Sequence, residues 1–134
     1  MSVEFINPPE LFNHPAYSRI MKVKNPKELI FIAGQTPADD KYQPLHPGDV
    51  RAQYLAVLEG LTVQLKAAGA TWDDVVFRRM YVVDVDGFMK AVSDPGLPLP
   101  WSRKHPSPST MIGVTRLSNP GFLVEVEIIA VPNS

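Results

Sequence analysis

Apolar and polar positions alternate with two different periods along the chain. Between residues 49 and 69, DVRAQYLAVLEGLTVQLKAAG, apolar side chains recur every three to four residues, which predicts an amphipathic helix. Asp49 is suited to cap its N-terminus, and Gly69 stands where a glycine commonly ends a helix. The expected apolar face of this helix comprises Leu55, Leu58, Leu61, Leu65 and Ala68.

Runs rich in β-branched and aromatic residues predict five strands. The first two, YSRIMKV and ELIFIAG, flank the turn sequence KNPK and are predicted to form a hairpin. The other three are DVVFRRMYVVDV, TMIGVTRL and FLVEVEIIAV, and the turn sequence SNPG joins the last two. A short second helix is expected in DGFMKAV, capped by Asp84 or Asp86. The order β-β-α-β-α-β-β indicates a single α+β domain over residues 1–134, with helices on one face of a sheet.

The last predicted strand has two distinct faces. The face that the helices would cover carries Phe122, Val124, Val126 and Ile128. The other face carries Leu123, Glu125, Glu127 and Ile129. Two interpretations of this second face remain open: it is solvated, or another subunit covers it. In the second case, partial burial would raise the pKa of Glu125, which is a common condition for a general acid or base.

Charge and composition exclude several classes of protein. The net charge is −1, so the chain has no electrostatic footprint for nucleic acid or an anionic membrane. No apolar run approaches the roughly 20 residues that span a bilayer, and the first residues lack the pattern of a signal peptide, so we expect a cytoplasmic protein. Cysteine is absent, and the three histidines have no partners at metal-ligand spacing, so no metal site is expected.

Four residues outside the last strand are candidates for a ligand-binding cleft. Tyr17 lies near the first predicted strand and either packs or lines a site. Gly34 ends a strand and permits a close approach of the backbone to another group. Trp101 is too large to be left loose in its proline-rich loop, so it either caps the core or lines a cleft. Arg79 lies on a rigid strand and is either ion-paired at the surface or a binding group.

Six stretches, taken together and in this order, resemble the RidA/YjgF family. They are ELIFIAGQTPAD, GDVRAQYLAVLEGL, AAGATWDDVV, MYVVDVDGF, STMIGV and GFLVEVEIIAV. The resemblance implies a chorismate-mutase-like fold with two helices on one face of a mixed sheet. It also implies a barrel-like homotrimer with small-molecule clefts between subunits. The activity it implies is the cofactor-free hydrolysis of reactive enamines and imines to a 2-oxo acid and ammonia, with Glu125 as the site glutamate and Tyr17 as the site tyrosine.

One residue of the family's site is missing. Imine deaminases of the family carry an arginine in a Pro-Ala-Arg-Ser/Thr pattern before the penultimate strand, where it binds the substrate carboxylate bidentately. In the sequence HPSPST the corresponding position is Ser109, or Pro108 if the gap is shifted by one. Serine keeps a hydroxyl but loses the charge, so carboxylate binding should be weakened. Candidate replacements are Arg79 and, in the preceding loop, Arg103, Lys104 and His105.

A second departure from the family is Gly60, at a helix position that often carries asparagine there. This glycine indicates either close packing or tolerance of a small residue. Two hypotheses for function therefore stay open. The chain is a deaminase or related hydrolase acting on a divergent substrate, or it is a non-enzymatic trimeric protein that binds a small molecule in the inherited cleft. The ribonuclease activity also ascribed to the family is the least supported, because no basic groove or row of stacking aromatic residues is visible.

Overall fold

Two helices lie on one face of a mixed β-sheet. The structure is a computed structural model and describes residues 1–102 and 104–132. The helices are α1 (Val50–Ala67) and α2 (Val85–Val92), and a single 3-10 turn, Trp72–Asp74, lies between them. The strands are β1 (Ser2–Ile6), β2 (Ile20–Lys24), β3 (Ile30–Gln35), β4 (Val75–Val82), β5 (Ser109–Gly113) and β6 (Val124–Ala130). No helix within the described ranges combines the length and the apolarity needed to cross a membrane.

Aspartate side chains cap the N-termini of both helices. The Asp49 carboxylate accepts a hydrogen bond from the Ala52 amide at 3.0 Å, as expected. Asp84, one of the two expected caps of α2, accepts from the Gly87 amide at 3.1 Å. At the other end of α1, Gly69 has a φ of +77°, the left-handed conformation that glycine adopts without steric cost. The predicted boundaries of α1 are therefore confirmed.

The strands are arranged in two sheets. The larger sheet has the order β3-β6-β4-β5, in which β4 and β5 are parallel and the other neighbours are antiparallel. β1 and β2 form a separate antiparallel pair. This arrangement confirms the α+β class and the mixed sheet. The strands joined by SNPG, β5 and β6, are not neighbours, because β4 lies between them.

The predicted hairpin between the first two strands was wrong. β2 pairs instead with the N-terminal strand β1, which the sequence analysis did not predict, and Val3 lies opposite Val23. The chain does turn at Asn25, whose φ is +55°. Beyond the turn, β3 pairs with β6, so that Ile32 is buried against the core. The apolar β3 buries more of its surface beside β6 than it would beside the half-exposed β2.

The hydrophobic core lies between α1 and the expected face of β6. From β6 and the turn before it, the buried residues are Phe122, Val124, Val126, Ile128 and Ala130. From α1 they are Gln53, Tyr54, Val57, Leu58, Leu61 and Leu65. The predicted helix face is therefore confirmed at three leucines. Leu55 is only half-buried and Ala68 is exposed, because the buried face of α1 is centred closer to Tyr54 and Val57.

A buried glutamine fixes the start of β6. The Gln53 side chain is fully buried, and its Nε2 donates to the carbonyl oxygens of Leu45 at 3.1 Å and Gly121 at 2.9 Å. Its Oε1 accepts from the Leu123 amide at 2.8 Å. These bonds satisfy backbone groups that neither a helix nor a strand would satisfy. Gln53 thereby joins α1 to the segment that leads to Glu125.

Candidate functional site

The sheet face that the helices leave uncovered carries a cluster of polar and aromatic side chains. In the antiparallel register of β4 and β6, Arg79 lies opposite Glu127 and Tyr81 lies opposite Glu125. Alternation places all four side chains on the same face. The expected division of β6 into an apolar face and a carboxylate face is therefore confirmed.

Glu127 is held as a carboxylate by two neighbours. Its Oε1 accepts a hydrogen bond from Arg79 Nη1 and another from the Tyr81 hydroxyl at 2.8 Å. These hydrogen bonds, the Tyr81 bond foremost, lower the pKa of Glu127 below its ordinary value. Because both bonds favour the ionised form, Glu127 is suited to orient Arg79 and Tyr81 and poorly suited to exchange protons near neutral pH.

The pKa of Glu125 is shifted in the opposite direction. Partial burial, and secondarily the charge of Glu127, raise the pKa of Glu125 above its ordinary value. Its carboxylate lies directly over Gly34, and a β-carbon at position 34 would collide with Oε2. Within the described ranges, no hydrogen bond or ion pair holds the Glu125 carboxylate. The structure thus brings together two of the predicted site residues, Glu125 and Gly34, and leaves the carboxyl of Glu125 available to a ligand.

The glycine at position 60 of α1 makes room for a side chain from β3. A β-carbon at Gly60 would lie 2.5 Å from Gln35 Nε2 and 2.6 Å from its Cδ. Gln35 directly follows Gly34 and donates to the Thr36 carbonyl oxygen at 3.2 Å. Of the two readings of Gly60 left open by the sequence, the structure favours close packing. The space that a larger helix residue would occupy is filled by Gln35.

Tyr17 lies in a segment that is fastened to the HPSPST loop. The Ser18 hydroxyl donates to the Pro106 carbonyl oxygen at 2.6 Å, and the Ser18 amide donates to the Ser107 carbonyl oxygen at 3.4 Å. The half-buried Tyr17 ring stacks on His14 with a centroid distance of 5.9 Å. The loop before β5 and the Tyr17 segment therefore form one continuous wall.

Arg78 joins this wall to the sheet, and the sequence analysis missed it. The residue is only 4% exposed, and its Nε donates to the Ser107 hydroxyl at 2.9 Å. Its Nη2 donates to the carbonyl oxygens of Ala16 at 3.2 Å and Ser107 at 3.4 Å. A signal was present in the sequence: alternation along β4 places Arg78 on the core side with Met80 and Val82, where a charged residue is unusual.

The remaining predicted site residues lie in several places. Ser109 is paired in parallel register with Arg78, so its side chain shares the core side of the sheet, and Thr110 is the β5 residue beside Arg79. Trp101 packs against the core and lies 4.1 Å below the Arg78 guanidinium, so within one chain it is not on the face of Glu125. Arg79 is on that face but is ion-paired with Glu127.

Among the other candidate replacements for the missing arginine, the two that the structure describes, Lys104 and His105, give no second cation beside Glu125. Lys104 is exposed, and the His105 ring stacks on Phe5 at a centroid distance of 5.4 Å. Arg103 lies outside the described residues. Arg79 is therefore the described basic residue on the carboxylate face, and it would have to share its guanidinium between Glu127 and a ligand.

Beyond Arg79, the same face is apolar. Phe77 lies opposite Ile129 in the register of β4 and β6, and Phe31 lies opposite Ile129 from β3. Phe31 is 73% exposed, although it stands in the middle of a strand. With Ala33, these side chains line a shallow hollow that ends at Arg79 and Glu127. An apolar row with an aromatic side chain as exposed as Phe31 is typical of a surface that another molecule covers.

Comparison with known proteins agrees with this architecture. Residues 11–132 match the protein family described as Endoribonuclease L-PSP. A RutC family protein of Saccharolobus solfataricus is 30% identical over 114 residues, covering 85% of each chain. A RutC family protein of Pyrococcus abyssi is 38% identical over 74 residues, which are 55% of this chain and 56% of that relative, so this match spans little more than half of its length.

Solved structures show the same fold. A Rid-family protein of unknown function, YyfB from Yersinia pestis, superposes with a TM-score of 0.81 at 27% identity, covering 98% of this chain and all of that one. RidA from an Antarctic Psychrobacter species gives a TM-score of 0.62 at 25% identity, covering 87% of this chain and 88% of that chain. With the family match extending over residues 11–132, these similarities establish that the chain belongs to the RidA/YjgF family.

Proposed function

We propose that this protein hydrolyses a small imine or related C–N compound without a cofactor, with Glu125 as the acid–base group. The observation that carries the proposal is the contrast between two glutamates on one strand face. Glu127 is held ionised by Arg79 and Tyr81, whereas Glu125 is free of such partners within residues 1–102 and 104–132 and has a raised pKa. Carboxyl pairs whose environments separate their pKa values commonly divide into a proton carrier and a fixed charge.

The reaction requires one group that takes and returns a proton. In the first step, water oxygen bonds to the carbon of the protonated imine, the C=N π electrons move to nitrogen, and Glu125 takes a proton from the water, which leaves a neutral amino alcohol. In the second step, Glu125 returns its proton to the amine. The C–N bond then breaks, ammonia leaves with the bonding electrons, and loss of the hydroxyl proton gives the carbonyl product. A carboxyl with a raised pKa is suited to both directions of transfer.

Gly34 contributes by allowing the carboxylate to lie against the backbone. The absence of a side chain at position 34 fixes Glu125 close to the end of β3. We assign Tyr17 and the HPSPST loop, including Ser109, to the wall that a neighbouring subunit would contribute to the Glu125 cleft, because within one chain Ser109 lies on the opposite side of the sheet from Glu125. The Ser18 bonds and Arg78 hold this wall together. Arg79 is the group that would orient a substrate carboxylate, at the cost of weakening its pair with Glu127.

We also propose that the protein is a homotrimer whose subunits cover the carboxylate face. The support is an apolar row made of the exposed Phe31 and the half-buried Phe77 and Ile129, which neither α1 nor α2 covers. Covering that row would remove further water from Glu125 and raise its pKa further. The ligand cleft would then lie between subunits, with Glu125 at its boundary.

A second candidate function, a non-enzymatic binding protein, is favoured by one observation. The position of the family's arginine is Ser109, and the described cation on the carboxylate face, Arg79, is already paired. Charge-assisted hydrogen bonds contribute roughly 1.5–3 kcal/mol each, so losing a bidentate pair weakens carboxylate binding strongly. Turnover of 2-aminoacrylate-type imines should therefore be slower than in arginine-bearing relatives.

The test compares two matched glutamine variants. Imines are generated by a pyridoxal-phosphate-dependent dehydratase, and release of 2-oxo acid is measured with wild type, Glu125→Gln and Glu127→Gln. Loss of a general acid–base group typically costs about 10²- to 10⁴-fold in rate, so Glu125→Gln should lose at least that lower figure and Glu127→Gln much less. Equal losses would contradict the assignment of Glu125. A wild-type rate no higher than the spontaneous rate would favour the binding protein.

A further inference from the structure

A second cavity lies on the side of the sheet to which the Arg78 side chain points. Its volume is about 290 Å³, and it is lined by the β1–β2 pair, the 3-10 turn and four loop residues, Trp101, Ser102, His105 and Ser107. Apolar side chains make up most of its wall, notably Val3, Phe5, Val23, Trp72 and Trp101. The volume is near the lower limit for small-molecule sites, which are mostly apolar with a few placed polar groups.

One polar group of this wall is Arg78, a buried cation for which residues 1–102 and 104–132 supply no counterion. Arg78 lines the cavity and forms no ion pair with a carboxylate of residues 1–102 and 104–132. Its hydrogen-bond acceptors are the neutral oxygens of Ala16 and Ser107, and the hydroxyl of the buried Tyr54 is a further neutral partner. Burial lowers the pKa of Arg78, and the neighbouring Tyr54 offsets this only in part. Arginine nevertheless stays charged in proteins, so an uncompensated positive charge faces the cavity.

Two carboxylates also lie in the cavity wall, and neither neutralises Arg78. The Asp74 side chain accepts a hydrogen bond from the Thr71 amide at 2.8 Å and completes the cap of the 3-10 turn. Asp73 is exposed. The neighbours of Arg78 on its other sides are the Tyr54 hydroxyl and the Trp101 ring, which lies 4.1 Å from the guanidinium carbon. Trp72 packs at a tilt against Trp101, with 5.2 Å between the ring centroids. A buried charge normally has a partner of opposite sign, and here that partner is absent from the described part of the chain.

We propose that this cavity binds a small carboxylic acid, with its carboxylate on Arg78 and its aliphatic or aromatic body against Val3, Val23 and the two tryptophans. The guanidinium supplies the planar donors that a carboxylate accepts. The apolar wall selects a ligand with a hydrophobic body over inorganic phosphate. The site is separate from Glu125, because Arg78 and Glu125 point to opposite faces of the sheet.

The two tryptophans make binding directly observable. The chain has two tryptophans, Trp72 and Trp101, and both line the cavity. Their indole N–H signals in ¹⁵N-labelled protein therefore report on this site, and Trp72 Nε1 is additionally fixed by its bond to Thr62 at 2.8 Å. The probes are phenylacetate and 4-methylpentanoate, and phenylacetamide serves as an uncharged match in shape to the first. We expect both acids to shift the indole signals and the amide to bind about ten-fold more weakly or worse.

Two kinds of variant separate binding from folding. Arg78→Met removes the charge and should abolish the response to the acids. Because Arg78 also holds the Ala16 and Ser107 segments, this variant is paired with Val3→Phe, which fills the cavity and leaves Arg78 in place. Glu4→Phe is the control, since it adds the same ring to the adjacent, exposed position of β1 that does not line the cavity.

The proposal predicts that Val3→Phe weakens binding of both acids at least ten-fold and that Glu4→Phe binds them as wild type does. It is overturned if acid and amide bind equally, if folded Arg78→Met retains acid binding, or if Val3→Phe binds as tightly as Glu4→Phe. It is also overturned if neither acid moves an indole signal at roughly 10 mM, where a site with a Kd of about 1 mM would be nearly saturated. None of these results depends on imine hydrolysis.

Discussion

The carboxylate of Glu125 rests on the backbone of Gly34, with no space left for a side chain between them. This contact joins the middle of the sheet, where β6 carries Glu125, to the end of β3. It accounts for a glycine in a strand that is otherwise rich in bulky residues, because a β-carbon there would displace the carboxylate.

Replacing Gly34 should damage the site more than the fold. In Gly34→Ala the methyl group would displace the flexible end of Glu125, and misplacing an acid–base group by about 1 Å can cost on the order of 100-fold in rate. We expect imine hydrolysis to fall at least ten-fold with a shift in unfolding free energy of about 1 kcal/mol or less. Gly96→Ala, in an exposed loop, is the control. Undiminished hydrolysis in Gly34→Ala would mean that this contact does not position Glu125.

The buried Gln53 should be far more important for stability than Gln64 on the same helix. Gln53→Leu leaves the carbonyl oxygens of Leu45 and Gly121 and the Leu123 amide without their partner, at about 1–3 kcal/mol for each buried group left unsatisfied. We expect a loss of roughly 2–4 kcal/mol in urea denaturation. Gln64 Oε1 is buried and has no hydrogen-bond partner in the part of the chain that the structure describes, so Gln64→Leu should be neutral or stabilising. Similar losses in both variants would contradict the role given to Gln53.

Glu125→Gln and Glu127→Gln should change the stability of the protein in opposite directions at pH 7, and both changes should depend on pH. Glu125 has a raised pKa when folded, so its contribution to stability is present below its unfolded pKa and is lost as the pH rises through the folded value. Glu127 has a lowered pKa, so its contribution is present above the unfolded value and is lost on acidification. At pH 7, Glu125→Gln should therefore melt above wild type and Glu127→Gln below it. Both differences should shrink below about pH 4, near the ordinary glutamate pKa.

The apolar row of Phe31, Phe77 and Ile129 predicts assembly through the carboxylate face. Phe31→Asp places a charge in that row and should convert the proposed trimer to a monomer. Val63→Asp is the control, because Val63 is 66% exposed on α1 and remote from that face. Light scattering coupled to size exclusion measures the mass. A wild-type mass equal to the chain mass of 14.9 kDa, or a trimer unaffected by Phe31→Asp, would contradict the proposed assembly.

Local patterns in the sequence were sufficient to predict α1 and the two faces of β6. The caps Asp49 and Gly69 and the strict alternation around Glu125 and Glu127 act through neighbours along the chain, so they can be recognised without the fold. The pairing partner of β2 could not be recognised in this way. It depends on whether β3 buries more apolar surface beside β6 than beside β2, which is a comparison between segments that are far apart in the sequence.

The candidate site was only partly predictable for the same reason. Glu125 and Gly34 could be named from position and residue type, but their contact depends on the register of β3 with β6. Arg78 was overlooked in favour of Arg79, although strand alternation places Arg78 on the buried side. Charged residues are usually exposed to solvent, and this expectation was given more weight than the strand alternation. The oxygens that accept hydrogen bonds from Arg78 belong to Ala16 and Ser107, which are far from it along the chain.

The central claim is that Glu125 and Glu127 share one strand face and that their pKa values are shifted in opposite directions. The most direct measurement is the titration of both side-chain carboxyls by ¹³C NMR, assigned with Glu125→Gln and Glu127→Gln. The structure predicts that Glu125 titrates above the ordinary glutamate range and Glu127 below it, because Tyr81 and Arg79 stabilise only the Glu127 carboxylate. Titration of the two carboxyls at the same pH, or in the reverse order, would contradict the assignment of Glu125 as the proton-transferring group.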